Sequence, residues 1–189
     1  DDPGCLVEQV YHCFPRLQVL INSASAYHAG TIANTDRALL QKQFSVNFFA
    51  PYLLSGSFAK QVASGSIINI LDNKIAFQQY QYGAYLMSKK ALAEFTKLAA
   101  MEFSPRIRVN GIAPGVVLPG ETRTGDYIDW RIQGIPLQRQ GRVEDLIRAM
   151  NYLLDSDFVT GQILFVDGGE GMNHLGLNAE EYESGDKVE

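Results

Sequence analysis

The sequence predicts an α/β fold, a doubly wound parallel sheet with helices on both faces. Three observations carry this. Short apolar runs alternate with longer stretches of helical periodicity along almost all of the 189 residues. The short runs are apolar throughout rather than at every second residue, as strands covered on both faces are. Polar or turn-forming groups follow them directly: Asn22 to Ser25 after the first, Asp72 after the second, Pro114 and Gly115 after the third. Ligands of open parallel sheets bind beyond the carboxyl ends of the strands, where these groups fall.

Taken in order, Asp2-Pro3 is a helix start, an N-cap residue followed by proline at the first position. Leu6, Val7, Val10, Tyr11 and Phe14 make one apolar face, and Pro15 ends the helix. Leu17 to Asn22 is a buried strand. Asn34-Thr35-Asp36 opens a long helical region through Phe44, Phe48, Tyr52 and Phe58. Ser66 to Leu71 is the second strand, and a polar loop leads from it into a helix carrying Tyr85, Lys89, Leu92, Phe95, Leu98 and Ala99. Pro105 breaks that helix, and Ile107 to Ile112 is the third strand. Residues 113–140 are rich in Pro and Gly. Helix resumes from near Val143 to Leu154, and Gln162 to Val166 is the last strand, closed by Asp167-Gly168-Gly169. Residues 1–170 read as one domain. Residues 171–189 read as a polar, acidic tail, an arm or a partly disordered segment.

Hydrophobic residues make up 46% and charged residues 20%, the balance of an ordinary soluble globular protein. The net charge of −5, with scattered Lys and Arg, leaves no footprint for nucleic acid or an anionic membrane. No run is long and apolar enough to span a bilayer. Cys5 and Cys13 have no zinc-site spacing and read as buried or half-buried reduced thiols, which suits a cytoplasmic protein; no metal is expected.

Tyr85 and Lys89, four residues apart, share one helix face. A lysine there can lower the phenol's pKa and orient a ribose, so that the tyrosine exchanges a proton with substrate while a nicotinamide carries hydride. The spacing alone equally describes a solvated pair on a surface helix. Asp72, thirteen residues before Tyr85, either joins that chemistry or caps a turn with Asn73. Tyr27 is either a substrate-facing ring or loop packing.

These motifs together resemble the classical short-chain dehydrogenase/reductase family over nearly the whole chain, which implies a Rossmann-like sheet. Leu20-Ile21-Asn22-Ser23-Ala24 stands at the family's L-V-N-N-A-G strand end, and Val46-Asn47 where its helical asparagine falls. Tyr85 and Lys89 occupy the YxxxK motif. Arg108-Val109-Asn110 with Pro114-Gly115 matches R-V-N-x-x-x-P-G, and Thr160-Gly161 with Val166-Asp167-Gly168-Gly169 matches T-G-x-x-x-x-V-D-G-G. Two departures are informative. The family's serine before the tyrosine is Asp72 here, and its N-A-G is replaced by Ser23-Ala24-Ser25-Ala26-Tyr27. Both are similar to the pteridine reductase branch, which includes dihydromonapterin reductases and the biopterin- and folate-salvaging enzymes.

The resemblance implies NADPH-dependent reduction of a pteridine. In that scheme Tyr85, or a water it polarises, supplies the proton. Lys89 holds the nicotinamide ribose and depresses the Tyr85 pKa. Asp72 aligns the pterin and shares in proton delivery. Asn47 keeps a water linking Lys89 to solvent, its plain alternative being a helix kink or cap. The backbone of Asn22, Ser23 and Ala24 lines the adenosine ribose and phosphates, and Pro114, Gly115 and Val117 flank the nicotinamide carboxamide. Ser25 reaches pterin and phosphate, and Tyr27 stacks on the pterin. A carboxylate at position 72 suits a pterin, since it accepts from amidine-like N–H groups and, protonated, can pass a proton to a ring nitrogen. Residues 116–140 form a substrate loop in which Gly120, Thr124 and Gly125 permit movement, with Tyr127 or Trp130 closing over the ligand or packing on the loop's own helix.

The family's opening strand and glycine-rich T-G-x-x-x-G-x-G turn are not among these residues. The resemblance places Asp1 just before the family's fourth strand, as a piece of a longer chain would begin. The groups that choose NADPH over NADH belong to that opening part, so NADPH is implied by the family alone. The family also pairs through its two long helices, here about 36–62 and 83–103, which implies a homo-oligomer, dimer or tetramer. Two other readings stay open: a reductase of another carbonyl or imine compound, and a non-catalytic subunit that has lost its cofactor site.

Overall fold

The computed structural model describes residues 3–118 and 125–172. Asp1, Asp2, Gly120, Thr124 and residues 173–189, with the helix cap, loop hinges and tail expected of them, lie outside the described residues. Four strands, β1 (Val19–Asn22), β2 (Gly65–Ile70), β3 (Ile107–Pro114) and β4 (Ile163–Val166), form one parallel sheet in the order β1-β2-β3-β4. Asn22 lies beside Asn69, Ile70 beside Ile112 and Pro114 beside Val166, so all four carboxyl ends open on one edge.

Parallel neighbours need crossovers, and helices supply them. Helix α1 (Pro3–Cys13) precedes β1; α2 (Arg37–Phe44) and α3 (Ala50–Gln61) link β1 to β2. Helix α4 (Gly83–Phe103) links β2 to β3, and α5 (Gly125–Ile132) and α6 (Val143–Asp155) link β3 to β4. Alternate strand residues face opposite ways. Ile67, Ile107 and Val109 enter one core with Phe58, Leu92, Ala99 and, from α1, Val7. Ile68 and Ile112 enter a second core with Ala149 and Leu153 of α6. Helices thus cover both faces, as expected. The buried stripe of α4 runs Tyr85, Ser88, Lys89, Leu92, Thr96 and Ala99, so the periodicity that packs the helix also delivers Tyr85 and Lys89 to the carboxyl edge.

Two expectations are corrected and a third is refined. The first strand is not buried on both faces: Val19 and Ile21 are 40% and 42% exposed. They point to the side covered by α6, and the core built there reaches only the other strands. Cys5 and Cys13 are both exposed, because α1 turns Val7, Val10 and Tyr11 inward and leaves Leu6 and Phe14 outside as well. The helical region from residue 36 runs on to Gln61 but not as one regular α-helix. Asp36 caps α2 by accepting from the Leu39 N–H at 2.7 Å, and a π-turn at Ser45–Phe49 then separates α2 from α3. Pro51 is its cause in the sequence. An α-helix would require the N–H of residue 51 to donate to the Asn47 carbonyl, and proline has none.

The Arg108-Val109-Asn110 segment knits β3 to the end of α6. Arg108 donates to the carbonyls of Leu153 (2.6 Å), Leu154 (2.7 Å) and Val159 (3.1 Å), capping the helix end. Asn110, fully buried, donates to the Val159 carbonyl at 2.9 Å and accepts from the Gln162 N–H at 3.0 Å. At the far end Gly171 and Met172, which the sequence assigns to the tail, form a turn (Glu170–Met172) with the Gly171 N–H on Asp167 at 2.6 Å. Among the described residues no helix is long and apolar enough to cross a membrane. Asn110→Ala should lower stability by about 2 kcal/mol, since it removes the side-chain bonds to the Val159 carbonyl and the Gln162 N–H, each contributing about 1 kcal/mol. A urea denaturation midpoint equal to wild type would contradict that role.

Candidate active site

Asp72 follows β2 and is the N-cap of a single turn, Asn73–Ala76. Its Oδ1 accepts from the Lys74 backbone N–H at 2.8 Å, while its Oδ2 accepts from the Tyr85 hydroxyl at 2.6 Å. The turn cap and the contact with Tyr85 therefore coexist, one oxygen each. Lys89, one turn along α4, donates to the Ile70 carbonyl at 2.9 Å, and its ammonium stands 6.0 Å from the centre of the Tyr85 ring. Tyr85 is 4% exposed and Lys89 2%, so this is no solvated surface pair. One of the three ammonium donors is spent on Ile70, and the remaining two suit neighbouring hydroxyls such as a diol.

Burial lifts the Tyr85 phenol well above its ordinary range. The charge of Asp72, the hydrogen bond to it and the neighbouring Tyr27 add to the rise, and the Ser25 hydroxyl works the other way. In the chain without cofactor these effects outweigh any lowering by Lys89: an accepting carboxylate beside a buried hydroxyl keeps the proton on oxygen. Lys89 is itself lowered to about 8 by burial, a fall that the charge of Asp72 partly opposes.

The segment after β1 closes over this pair. Asn47 sits on the π-turn, fully buried. Its side chain accepts from the Ala26 N–H and donates to the Ala26 carbonyl, both at 2.8 Å, and donates to Ser88 of α4 at 3.0 Å. Gly30 donates to the Gln81 carbonyl at 2.7 Å and accepts from the Gly83 N–H at 3.0 Å. Pinned at both points, the segment lays Tyr27 edge-on to Tyr85 (centroids 4.6 Å apart) and stacked on Tyr82 (4.5 Å, 11° between planes). Asn22, in contrast, turns its side chain into the sheet, donating to Asn69 at 2.8 Å and Ser55 at 3.3 Å, and leaves only backbone at the edge. Ser23, Ala24 and Ser25 are exposed there.

On the other flank, Gly115 donates to the Val166 carbonyl at 3.1 Å, and a Cβ on it would meet Asp167 at 2.8 Å. This close approach joins the ends of β3 and β4 beside Pro114, and Val117 is buried below. Tyr127 is buried in α5 with its ring 5.9 Å from Trp130, the packing alternative of the two.

Sequence reasoning missed the groups that hold the Asp72 turn. Asn73 is buried and donates to Glu170 at 2.7 Å and, more loosely, to Asp167 at 3.5 Å. Glu170 forms a buried ion pair with Arg131 of α5. Three distant segments are thus tied behind Asp72. Lys74 and Tyr82 were likewise unsignalled. A cavity of about 550 Å³, lined by residues including Ile135, Arg139, Asp145 and Gly168, contains none of Asp72, Tyr85 or Lys89. Among the described residues no cluster of His, Cys, Asp or Glu could hold a metal ion.

Residues 3–170 match the family model described as enoyl-(acyl carrier protein) reductase. Pteridine reductase 1 of Leishmania tarentolae is 31% identical, over 88% of this chain and 67% of its own length. Glucose and ribitol dehydrogenase of Daucus carota is 30% identical, over 91% of this chain and 62% of its own length. The crystal structure of FolM alternative dihydrofolate reductase 1 from Brucella canis, complexed with NADP, superposes with a TM-score of 0.83 at 31% identity, over 91% of this chain and 70% of that one. The chain spans about two thirds of the length of these relatives. With a parallel sheet, a buried Tyr85–Lys89 pair at its carboxyl edge and a family match over most of its length, the chain belongs to the short-chain dehydrogenase/reductase family of oxidoreductases.

Proposed function

We propose that this chain forms the catalytic edge of an NADPH-dependent pteridine reductase, which takes a dihydropterin, dihydromonapterin, dihydrobiopterin or dihydrofolate to the tetrahydro form. The observation that carries the proposal is the Asp72 carboxylate on the Tyr85 hydroxyl at 2.6 Å, where reduction of a ketone calls for a donor. A carboxylate only accepts when ionised. Beyond its two bonds here it keeps lone pairs for the N–H groups of a pterin's amidine-like edge. The likeness to the Leishmania pteridine reductase and to the NADP-complexed Brucella protein supports both substrate class and cofactor.

When bound, NADPH would supply hydride for the carbon of a ring C=N bond. The chain's residues do the rest. Tyr85, held protonated by burial and Asp72, delivers its proton to the adjacent nitrogen as the C=N π bond breaks. Asp72 orients the heterocycle and, on taking up a proton from solvent, passes it to the Tyr85 phenolate left by the transfer. Lys89 holds the nicotinamide ribose with the donors not spent on Ile70. The Asn47 carbonyl, which lacks its helical donor at Pro51, holds the water that connects Lys89 to solvent. Asn22, Ser23 and Ala24 contribute backbone to the adenosine side, Pro114, Gly115 and Val117 flank the carboxamide, and Ser25 and Tyr27 face the pterin. The donor set at this edge suits the nicotinamide half of the cofactor. The glycine-rich cradle that holds a pyrophosphate in such folds is not among the described residues. The proposal extends to self-association through α3 and α4, where Tyr52, Leu53, Leu98 and Met101 are exposed, and to a reducing cytoplasm, where exposed Cys5 and Cys13 remain thiols.

The likeness to the carrot dehydrogenase favours a second reading, a sugar or other carbonyl substrate. NADPH consumption with a panel of dihydropterins, dihydrofolate, ketones and sugars separates the two. Turnover of carbonyl compounds alone would refute the pteridine reading. Tyr85→Phe and Asp72→Ala should each lower kcat about 100-fold or more while retaining native circular dichroism; wild-type rates in either would remove that residue from the mechanism.

Lys89 also makes stability depend on pH. Its pKa is about 8 in the folded chain against an ordinary 10.5, so between those values the unfolded chain binds more protons and stability rises with pH. Below pH 8 the full penalty, about 3 kcal/mol, applies. Lys89→Met should therefore be more stable than wild type at pH 7, and the gap should narrow as pH rises from 8 towards 10. A pH-independent difference in thermal midpoint would contradict this assignment.

A further inference from the structure

Three consecutive residues of the turn after β2 point three ways. Asp72 faces Tyr85, Asn73 goes inward to Glu170, and Lys74 goes outward over the aromatic pair. The Lys74 ammonium lies 5.6 Å from the Tyr27 ring centre and 5.2 Å from that of Tyr82, and it donates to the Tyr27 hydroxyl at 3.2 Å. The Tyr27 phenol oxygen, at the rim of the stacked pair, and the neighbouring Tyr82 ring hold a long, flexible side chain in one place. Among the described residues no carboxylate pairs with it. The nearest in sequence, Asp72, spends one oxygen on the Lys74 backbone and the other on Tyr85. The ammonium has three donors, and one goes to Tyr27.

We propose that Lys74, with the Tyr27–Tyr82 stack behind it, is a subsite for an anionic tail on the substrate, a carboxylate or a phosphate carried off the ring that is reduced. The inference rests on the pteridine reading and deepens it. The subsite adjoins the reacting group, since no more than the two ring separations, 4.6 Å from Tyr85 to Tyr27 and 5.6 Å from Tyr27 to the ammonium, part them. The platform is fixed from both sides by the pairing of Gly30 with Gln81 and Gly83. A rigid ring stack beside the proton donor and a positioned cation beyond it match a flat heterocycle with a charged extension. An uncharged pterin leaves the cation unused.

The test is calorimetric titration of the chain, wild type and Lys74→Gln, with three probes: hydroxymethylpterin, whose side chain is uncharged; folic acid, whose tail ends in carboxylates; and hydroxymethylpterin pyrophosphate. In wild type one anionic probe should bind about tenfold more tightly than hydroxymethylpterin, as a hydrogen bond to a charged group provides, and added salt should shrink the ratio. Which anionic probe shows the gain decides between carboxylate and phosphate. Lys74→Gln should bring the ratio close to one whatever it does to the shared affinity, and Lys74→Arg should retain most of it. A ratio near one in wild type, or one that persists in Lys74→Gln, overturns the subsite and leaves the pteridine reading standing. Failure of every pterin to bind, the uncharged one included, overturns both.

Discussion

The hydrogen bond from Tyr85 to Asp72 is the constraint on which the rest of the edge depends. It needs a phenol from the first turn of α4 and a carboxylate from the end of β2 to meet at 2.6 Å in a largely buried place. Neither element achieves this alone. Helix α4 is set by its buried stripe against the sheet, and the Asp72 turn is set by Asn73, which reaches back to Glu170 and through it to Arg131. A buried ion pair contributes little net stability once desolvation is counted, but it fixes geometry. Here it fixes the backbone on which both Asp72 and Lys74 stand.

The electrostatics follow from that placement and reverse a common intuition about a tyrosine four residues from a lysine. Proximity to an ammonium favours phenolate, whereas burial and a bonded carboxylate favour the phenol, and in this site the second pair of effects wins. The result is a tyrosine that keeps its proton at neutral pH. Lys89 bears the cost of the same burial. The Asp72 charge offsets part of that cost, and the ammonium keeps a hydrogen bond to the Ile70 carbonyl.

Most of the architecture was legible in the sequence because it rests on local pattern. Strands covered on both faces are continuously apolar, and α4 carries its stripe at helical spacing, so four strands and every crossover helix but α5, which lies in a stretch that reads as loop, could be placed within a few residues. The exposure of Val19 and Ile21 was not legible, since it depends on how far α6 reaches across the sheet, which no strand records. The break at Asn47 had a signal in Pro51, yet the aromatic run on either side reads as uninterrupted helix. Asp72, Tyr85 and Lys89 were found by spacing. Their support was not: Asn73 and Glu170 are 97 residues apart, and a single long-range bond leaves no periodicity to detect.

An aspartate where the family has a serine changes what the edge can recognise more than how it moves protons. A serine hydroxyl both donates and accepts, so it serves a carbonyl oxygen well. An ionised carboxylate can only accept, and it would repel the negative charge that develops on a carbonyl oxygen during reduction. In the function proposed above, the substitution disfavours ketones and suits substrates that present N–H groups beside the bond being reduced. Tyr27, stacked on Tyr82 and edge-on to Tyr85, adds a flat apolar wall that rewards a planar ring. On the proposed reading, acceptor, proton donor and aromatic wall together suit a flat, nitrogen-rich heterocycle, and none of the three does so alone.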